Sequence, residues 1–422
     1  MTRRPFAAGA PGIIAVVGAT GRAAMHLEGD ATMKLAERMS RIGTESAFDV
    51  LARARALEAE GREIVHLQIG EPDFDTPAHI TDAAIQALRD GYTHYVPALG
   101  IPQLRDAIAE HIATTRGIPV ERGNVCVSPG GKPIMFWTIM ALCEEGDEVI
   151  VPDPSYPIYE SMARVVGATV VPLPILESRG FTFAPEDLAA RLTPRTKLVV
   201  LNSPANPTGG LFGKTDIEAI ANILRNHDCY ILSDEIYSRM LYGGGGEHYS
   251  VAAEPDMLNR TIILDGFSKT YAMTGWRLGY GIYPLDLIPH IDRLAVNSVS
   301  CTNAATQMAG VAALTGPQEC VTEMVAEFEK RRDFIVDGLN AIPGITCQKP
   351  LGAFYVFPNV TGLGLPSKVL ADRLLDEAGV AVLTGTAFGE YGEGYLRLSY
   401  ANSIPNIQKA LDRIAALAKT LA

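Results

Sequence analysis

The chain has 422 residues, 47% of them apolar and 20% charged, a globular composition that excludes disordered, collagen-like and coiled-coil readings. Its 36 basic and 48 acidic residues leave a formal net charge of −12, with a pI near 5.2. That balance argues against nucleic acid or an anionic membrane as the main partner, while allowing a local basic pocket.

The mass of 45.2 kDa suits two domains, or one large α/β core with an appended piece. Mean hydropathy is +0.12, yet no apolar run reaches the roughly 18 residues of a membrane span. The chain therefore reads as soluble, with no membrane partner. Six cysteines without a CxxC pair read as buried free thiols of a reducing cytoplasm. Eight histidines without ligand spacing predict no metal.

Residues 1–32 are rich in Ala and Gly. The run from Gly12 to Gly21 has a short apolar strand and a glycine turn, but it lacks the GxGxxG spacing of a dinucleotide site. It is also too short for a signal peptide. This segment reads as a flexible extension, or as an over-long frame whose natural start is Met33.

Strands are predicted at Asn124–Ser128, Glu148–Val151, Ala168–Leu173, Lys197–Asn202, Tyr230–Asp234, Thr261–Asp265 and Leu278–Ile282. Helical patterns start near Lys132 and span about Asp216–Asn226. Near-continuous apolar strands alternating with helices imply a mainly parallel sheet covered on both faces. Such sheets place ligands outside the carboxyl ends of their strands. The last hundred residues differ. A charged helix spans about Gln318–Asn340, followed by Phe354–Phe357, a helix near Lys368–Ala378, Val380–Leu383, Tyr395–Ser399 and a closing helix. These predict a smaller α+β domain.

Three candidates fall just past predicted strands: Asn206, Asp234 and Lys269. A lysine amine forms Schiff bases with carbonyls once its pKa is lowered. An acid beside a pyridine nitrogen keeps that nitrogen protonated. A phenol and an amide, here Tyr237 and Asn206, can bond the 3-oxygen of such a ring. These are the demands of pyridoxal phosphate.

Five segments carry a family resemblance: Gly70-Glu71-Pro72-Asp73-Phe74, Asn202 to Gly209 (NSPANPTG), Asp234-Glu235-Ile236-Tyr237, Ser268 to Arg277 (SKTYAMTGWR), and Arg397-Leu398-Ser399-Tyr400-Ala401. In order and spacing, from about Met33 to the C-terminus, the sequence resembles the class I aminotransferases. The resemblance implies a fold-type-I pyridoxal phosphate enzyme, with a seven-stranded sheet. It implies an extension at 1–32, an arm and part of the small domain at 33–80, a large domain at 81–315 and a small C-terminal domain at 316–422.

The resemblance also implies roles. Lys269 bears the cofactor and moves the substrate's α-proton, Asp234 pairs with the pyridine nitrogen, and Tyr237 and Asn206 bond the 3-oxygen. Arg277, Ser268 and the turn Gly130-Gly131-Lys132 hold the phosphate, the turn by its backbone N–H groups at a helix N-terminus. Tyr156 stacks on the ring, and Tyr95 reaches the phosphate of a neighbouring subunit in an obligate homodimer. Arg397 binds the substrate's α-carboxylate, and Gly70 offers a backbone N–H near it.

A lysine in a first helical turn is disfavoured by the helix dipole, so Lys132 implies a nearby anion. Aspartate-preferring relatives often carry Ser-Ala-Thr where this chain has Glu45-Ser46-Ala47-Phe48. Phe48 points to aromatic or apolar substrates, and Lys132 to an acidic one. The implied reaction is ping-pong transfer from an L-amino acid, first aspartate, then aromatic amino acids or alanine, to a 2-oxo acid, 2-oxoglutarate first. The rivals are β-elimination on the same cofactor and the effector domain of a transcription regulator. Against the second, 32 residues cannot supply a DNA-binding domain and linker.

Overall fold

The computed structural model describes residues 34–243 and 247–421. The extension at 1–32, with its glycine run, lies outside the described residues. After a short strand β1 (Val65–His66) come β2 (Val125–Ser128), β3 (Glu148–Asp153), β4 (Thr169–Pro174), β5 (Thr196–Asn202), β6 (Tyr230–Asp234), β7 (Thr261–Gly266) and β8 (Gly279–Ile282). The last seven form one sheet in the order β2-β8-β7-β6-β5-β3-β4. Neighbours from β3 to β7 pair in parallel, while β8 runs antiparallel to both β7 and β2. The sheet is mainly parallel, as its apolar strands imply.

β5 shows why. Leu198, Val199 and Val200 are fully buried and Leu201 nearly so. Leu198 and Val200 belong to one core cluster, Val199 and Leu201 to another. Alternate side chains thus enter cores on opposite faces, and each burial contributes about 1.5–3 kcal/mol. The helix Lys214–Leu224 covers one face through Ile217, Ile220, Ala221 and Leu224, an i, i+3, i+4, i+7 stripe.

The smaller region holds β9 (Tyr355–Val356), β10 (Val380–Ala381), β11 (Leu383–Thr384) and β12 (Leu396–Ser399). β11, β12 and β9 form an antiparallel sheet in that order, and β10 pairs in parallel with β1. The single strand expected over Val380–Leu383 is therefore two. Val380 and Ala381 pair with Val65 and His66, whereas Leu383 and Thr384 pair with Arg397 and Leu396. The helix Glu319–Asn340 lays Phe328, Ile335, Val336 and Leu339 into this core. Tyr237, Met240 and Tyr242, just past β6, enter the same core. The carboxyl end of β6 is thereby tied to the smaller region within the single unit formed by residues 38–421.

All six cysteines are free, but only Cys126, Cys143, Cys229 and Cys347 are buried. Cys301, in a loop, and Cys320, in the first turn of a helix, are half-exposed, which corrects the expectation of uniform burial. Among the described residues, no helix is long and apolar enough to cross a membrane, and no cluster of side chains could hold a metal ion.

Candidate active site

Asp234 closes β6 directly opposite Asn202, which closes β5. Its Oδ2 accepts a hydrogen bond from Tyr159 Oη at 2.5 Å, and its Oδ1 accepts the Ile236 N–H at 3.2 Å. Burial pushes the Asp234 carboxyl up to about 6, against the pull of these two donors. Tyr159, fully buried on the helix Ile158–Val165, was not singled out in the sequence. Tyr156 lies two residues before this helix, and the two rings meet edge to face with centroids 5.8 Å apart.

Lys269 lies three residues past β7. Its Nζ donates to the Gly70 carbonyl oxygen at 2.5 Å and sits 5.7 Å from the centroid of the Phe354 ring. Burial pulls the amine down to about 8. Glu71 opposes that shift, and the cations Arg397 and Arg277 add to it. Gly70 thus meets Lys269 through its carbonyl. A Cβ there would lie 2.2 Å from Tyr355 Oη, so a glycine is needed for this approach.

The turn after β2 is shaped for an anion. Gly130 adopts φ +89°, and a Cβ there would sit 2.2 Å from Nη2 of Arg277. Ser128 Oγ donates to the Gly130 carbonyl at 2.6 Å, which braces the turn. Gly131 caps the helix Lys132–Leu142 without any side-chain cap, leaving first-turn N–H groups for a ligand. The Arg277 guanidinium is held by the Thr274 carbonyl at 2.7 Å. Ser268 is half-buried beside Lys269.

Arg397, buried on β12, donates through Nη1 to Asn206 Oδ1 at 3.2 Å and through Nη2 to the Gln68 carbonyl at 2.5 Å. Its guanidinium lies 4.6 Å from the Tyr355 ring centroid and 5.0 Å from that of Phe388. Its Nε is buried without a partner. A buried, unpaired cationic N–H is costly, and a carboxylate is the group that satisfies it. Tyr237 Oη and Tyr355 Oη stand 2.7 Å apart, and Asn206 N–H donates to Asn202 Oδ1 at 2.8 Å.

Glu45 was not among the candidates. Its Oε1 lies 2.8 Å from Lys132 Nζ and also accepts the Tyr156 hydroxyl. The Lys132 in the first helical turn therefore has its anion within the chain. Phe48 is 60% exposed, whereas the Glu45 carboxylate is engaged by Lys132 and Tyr156. Tyr95 is 90% exposed and is not brought to the other candidates within one chain.

Beside Asp234, the buried Glu235 binds Arg116 Nε at 2.7 Å, and the same guanidinium reaches Asp265 at 2.9 Å. Burial alone would raise the Glu235 carboxyl, but His248 and Arg116 hold it well below the usual range. This network anchors the segment after β6 from behind.

These donors fit pyridoxal phosphate. A glycine turn backed by a guanidinium suits its phosphate, a buried carboxylate its ring nitrogen, and a lysine amine of lowered pKa its aldehyde.

Known proteins agree with this reading. Residues 62–414 match the family model described as aminotransferase class I and II. The aspartate aminotransferase of Geobacillus stearothermophilus is 40% identical over 389 residues, 90% of this chain and 98% of that one. The crystal structure of the aspartate aminotransferase from Rhizobium meliloti matches with a TM-score of 0.88 at 37% identity, covering 92% of this chain and 99% of the other. The alanine aminotransferase from Pyrococcus furiosus matches with a TM-score of 0.86 at 34% identity, covering 92% and 100%. The chain thus belongs to the class I and II aminotransferases, with the fold-type-I architecture, and is a pyridoxal phosphate-dependent transaminase.

Proposed function

We propose that this transaminase takes its amino group from aspartate and passes it to 2-oxoglutarate, in a ping-pong cycle. The observation that carries transamination of an amino acid is the buried Arg397 with its unpaired Nε, a site for the α-carboxylate common to all donors, in the electrostatic reach of the Lys269 amine. Relatives named aspartate aminotransferase support the choice of donor.

Pyridoxal phosphate, when bound, supplies the electron-withdrawing ring that makes the α-proton acidic and carries nitrogen between the two half-reactions. The protein's own groups do the rest. Arg397 grips the α-carboxylate and orients the substrate, its plane fixed by Tyr355 and Phe388. The Lys269 amine, with its pKa lowered to about 8, takes the α-proton and later returns it.

Asp234, braced by Tyr159, holds a proton at the ring nitrogen. Tyr237 and Asn206 bond the 3-oxygen, and Tyr156 covers the ring face. Gly130, Gly131, Ser268 and Arg277 hold the phosphate. Lys132 supplies the cation for the substrate's side-chain carboxylate, and Gly70 lines the substrate pocket through its contacts with Lys269 and Tyr355.

The reading includes a homodimer, in which the exposed Tyr95 reaches the phosphate of a second copy. It includes a cytoplasmic location, supported by six free cysteines. It also keeps the division at residues 33–80, 81–315 and 316–422, supported by the pairing of β1 with β10.

The test is a screen of the twenty L-amino acids in the half-reaction, followed by the cofactor's absorbance change. Aspartate is expected to react fastest. A tenfold faster reaction with phenylalanine or alanine would defeat this assignment. A second reading, for neutral donors, is favoured by one contact: Glu45 already neutralises Lys132.

A further inference from the structure

Three cations, Lys132, Lys269 and Arg397, bear on the substrate pocket. One anion lies directly on Lys132. Glu45 occupies the N-cap position of the helix Ser46–Ala59, yet its side chain makes no capping hydrogen bond. The short Asp, Asn, Ser and Thr side chains are the ones that usually cap such a position. The longer Glu45 side chain reaches outward instead. A single oxygen, Oε1, meets both Lys132 Nζ and the Tyr156 hydroxyl. Its side chain is only 17% exposed, against 49% for Lys132.

The arm holds it there. The Gly43 N–H donates to Ser161 Oγ at 2.9 Å on one side, and Ala47 and Val50 pack against the core on the other. The negative charge of Glu45 also reaches both Lys269 and Arg397. The Glu45 carboxylate therefore lies in the same electrostatic environment as the groups that hold cofactor and α-carboxylate.

We infer that Glu45 is a specificity-determining residue. Its carboxylate sits on Lys132 where an acidic substrate's side-chain carboxylate would bind, so acidic substrates bind in competition with it and neutral ones do not. The inference rests on the reading that Lys132 serves the side-chain subsite. An anchored intramolecular carboxylate competes at high effective concentration, since its translational freedom is already lost. A dicarboxylate must therefore displace Glu45 or share Lys132 with it against like-charge repulsion. A monocarboxylate meets only Arg397.

The test compares the wild-type holoenzyme with Glu45→Gln, which keeps the size and an acceptor for Tyr156. Succinate and butanoate are the probes, each titrated calorimetrically. Glu45→Gln is expected to bind succinate about tenfold more tightly, with butanoate within about twofold. In Glu45→Gln combined with Lys132→Gln the gain should vanish, because the coupling runs through that pair. Unchanged or weaker succinate binding in Glu45→Gln, or an equal gain for butanoate, overturns the inference. The donor assignment fails in a different way, by absence of oxaloacetate from aspartate in the wild type. If that happens while the succinate gain stands, Glu45 keeps its role and only the donor is wrong.

Discussion

The two halves of the site are built by different means. The cofactor half is set by the ends of parallel strands. Asp234 and Asn202 face each other at the last register position of β6 and β5, and Lys269 follows β7 by three residues. The substrate half is assembled from distant segments: Glu45 on the arm, Gln68 and Gly70 after β1, Tyr355 on β9, and Arg397 on β12. Strand ends in a buried sheet have almost no freedom, so the first half is positioned before any ligand arrives. The second half depends on side-chain contacts across the junction with the smaller region. Chemistry is thus anchored where the fold is stiffest, and choice of substrate where segments meet.

If that contrast holds, substitutions on the cofactor side should abolish turnover for every substrate. The largest effect is expected for Lys269→Ala, with kcat falling about 10⁴-fold, at the upper end for removal of a proton-transferring group. Single-turnover kinetics with aspartate and phenylalanine should show equal losses. A loss confined to one of them would break the division.

The next effect is on the substrate side. Arg397→Ala removes a charge-assisted contact in a desolvated pocket, and should cost about 2–5 kcal/mol in kcat/KM. Binding of both succinate and butanoate should weaken, since each docks its carboxylate there. Retained butanoate affinity would show that Arg397 does not hold the α-carboxylate.

The smallest effect is on stability, and it sharpens the contrast by measuring the strain on the cofactor side. Asp234 is raised from an ordinary value of 3.8 to about 6 by burial. Between those values the folded chain binds more protons than the unfolded one, so stability falls as pH rises through that window. The penalty is complete above about pH 6. Asp234→Asn removes the charge, so the cofactor-free variant should be more stable than cofactor-free wild type at pH 8, by up to about 3 kcal/mol. The advantage should shrink to near zero by about pH 4. Melting curves at both pH values check this. An advantage independent of pH would show that the buried charge is not its source.

The same contrast governs what was legible in the sequence. Asp234, Lys269, Asn206 and Arg277 stand out because each follows a strand or a glycine turn that is itself visible in the local pattern. The β5 run, apolar on both faces, marks a central parallel strand without any other information. Tyr159 and Tyr355 escaped notice because a buried phenol in an apolar segment looks like core. Its hydroxyl partner, Asp234 for one and Tyr237 for the other, comes from a different element. Arg116 looks like an ordinary basic residue at a helix C-terminus, and only packing shows it between Glu235 and Asp265.

By itself, then, the sequence determined the sheet class, the strands that carry the cofactor side and the type of chemistry, because hydrophobic periodicity and short motifs are local properties. Tertiary structure alone decided that Val380–Leu383 is divided between two pairings, that the Gly70 carbonyl meets Lys269, and that Glu45 meets Lys132. Each of these depends on which segment packs against which. Glu45 and Lys132 are 87 positions apart, and Gly70 and Lys269 are 199 apart. No pattern within a single segment encodes such meetings, since the energy that selects them is shared among side chains from the whole fold.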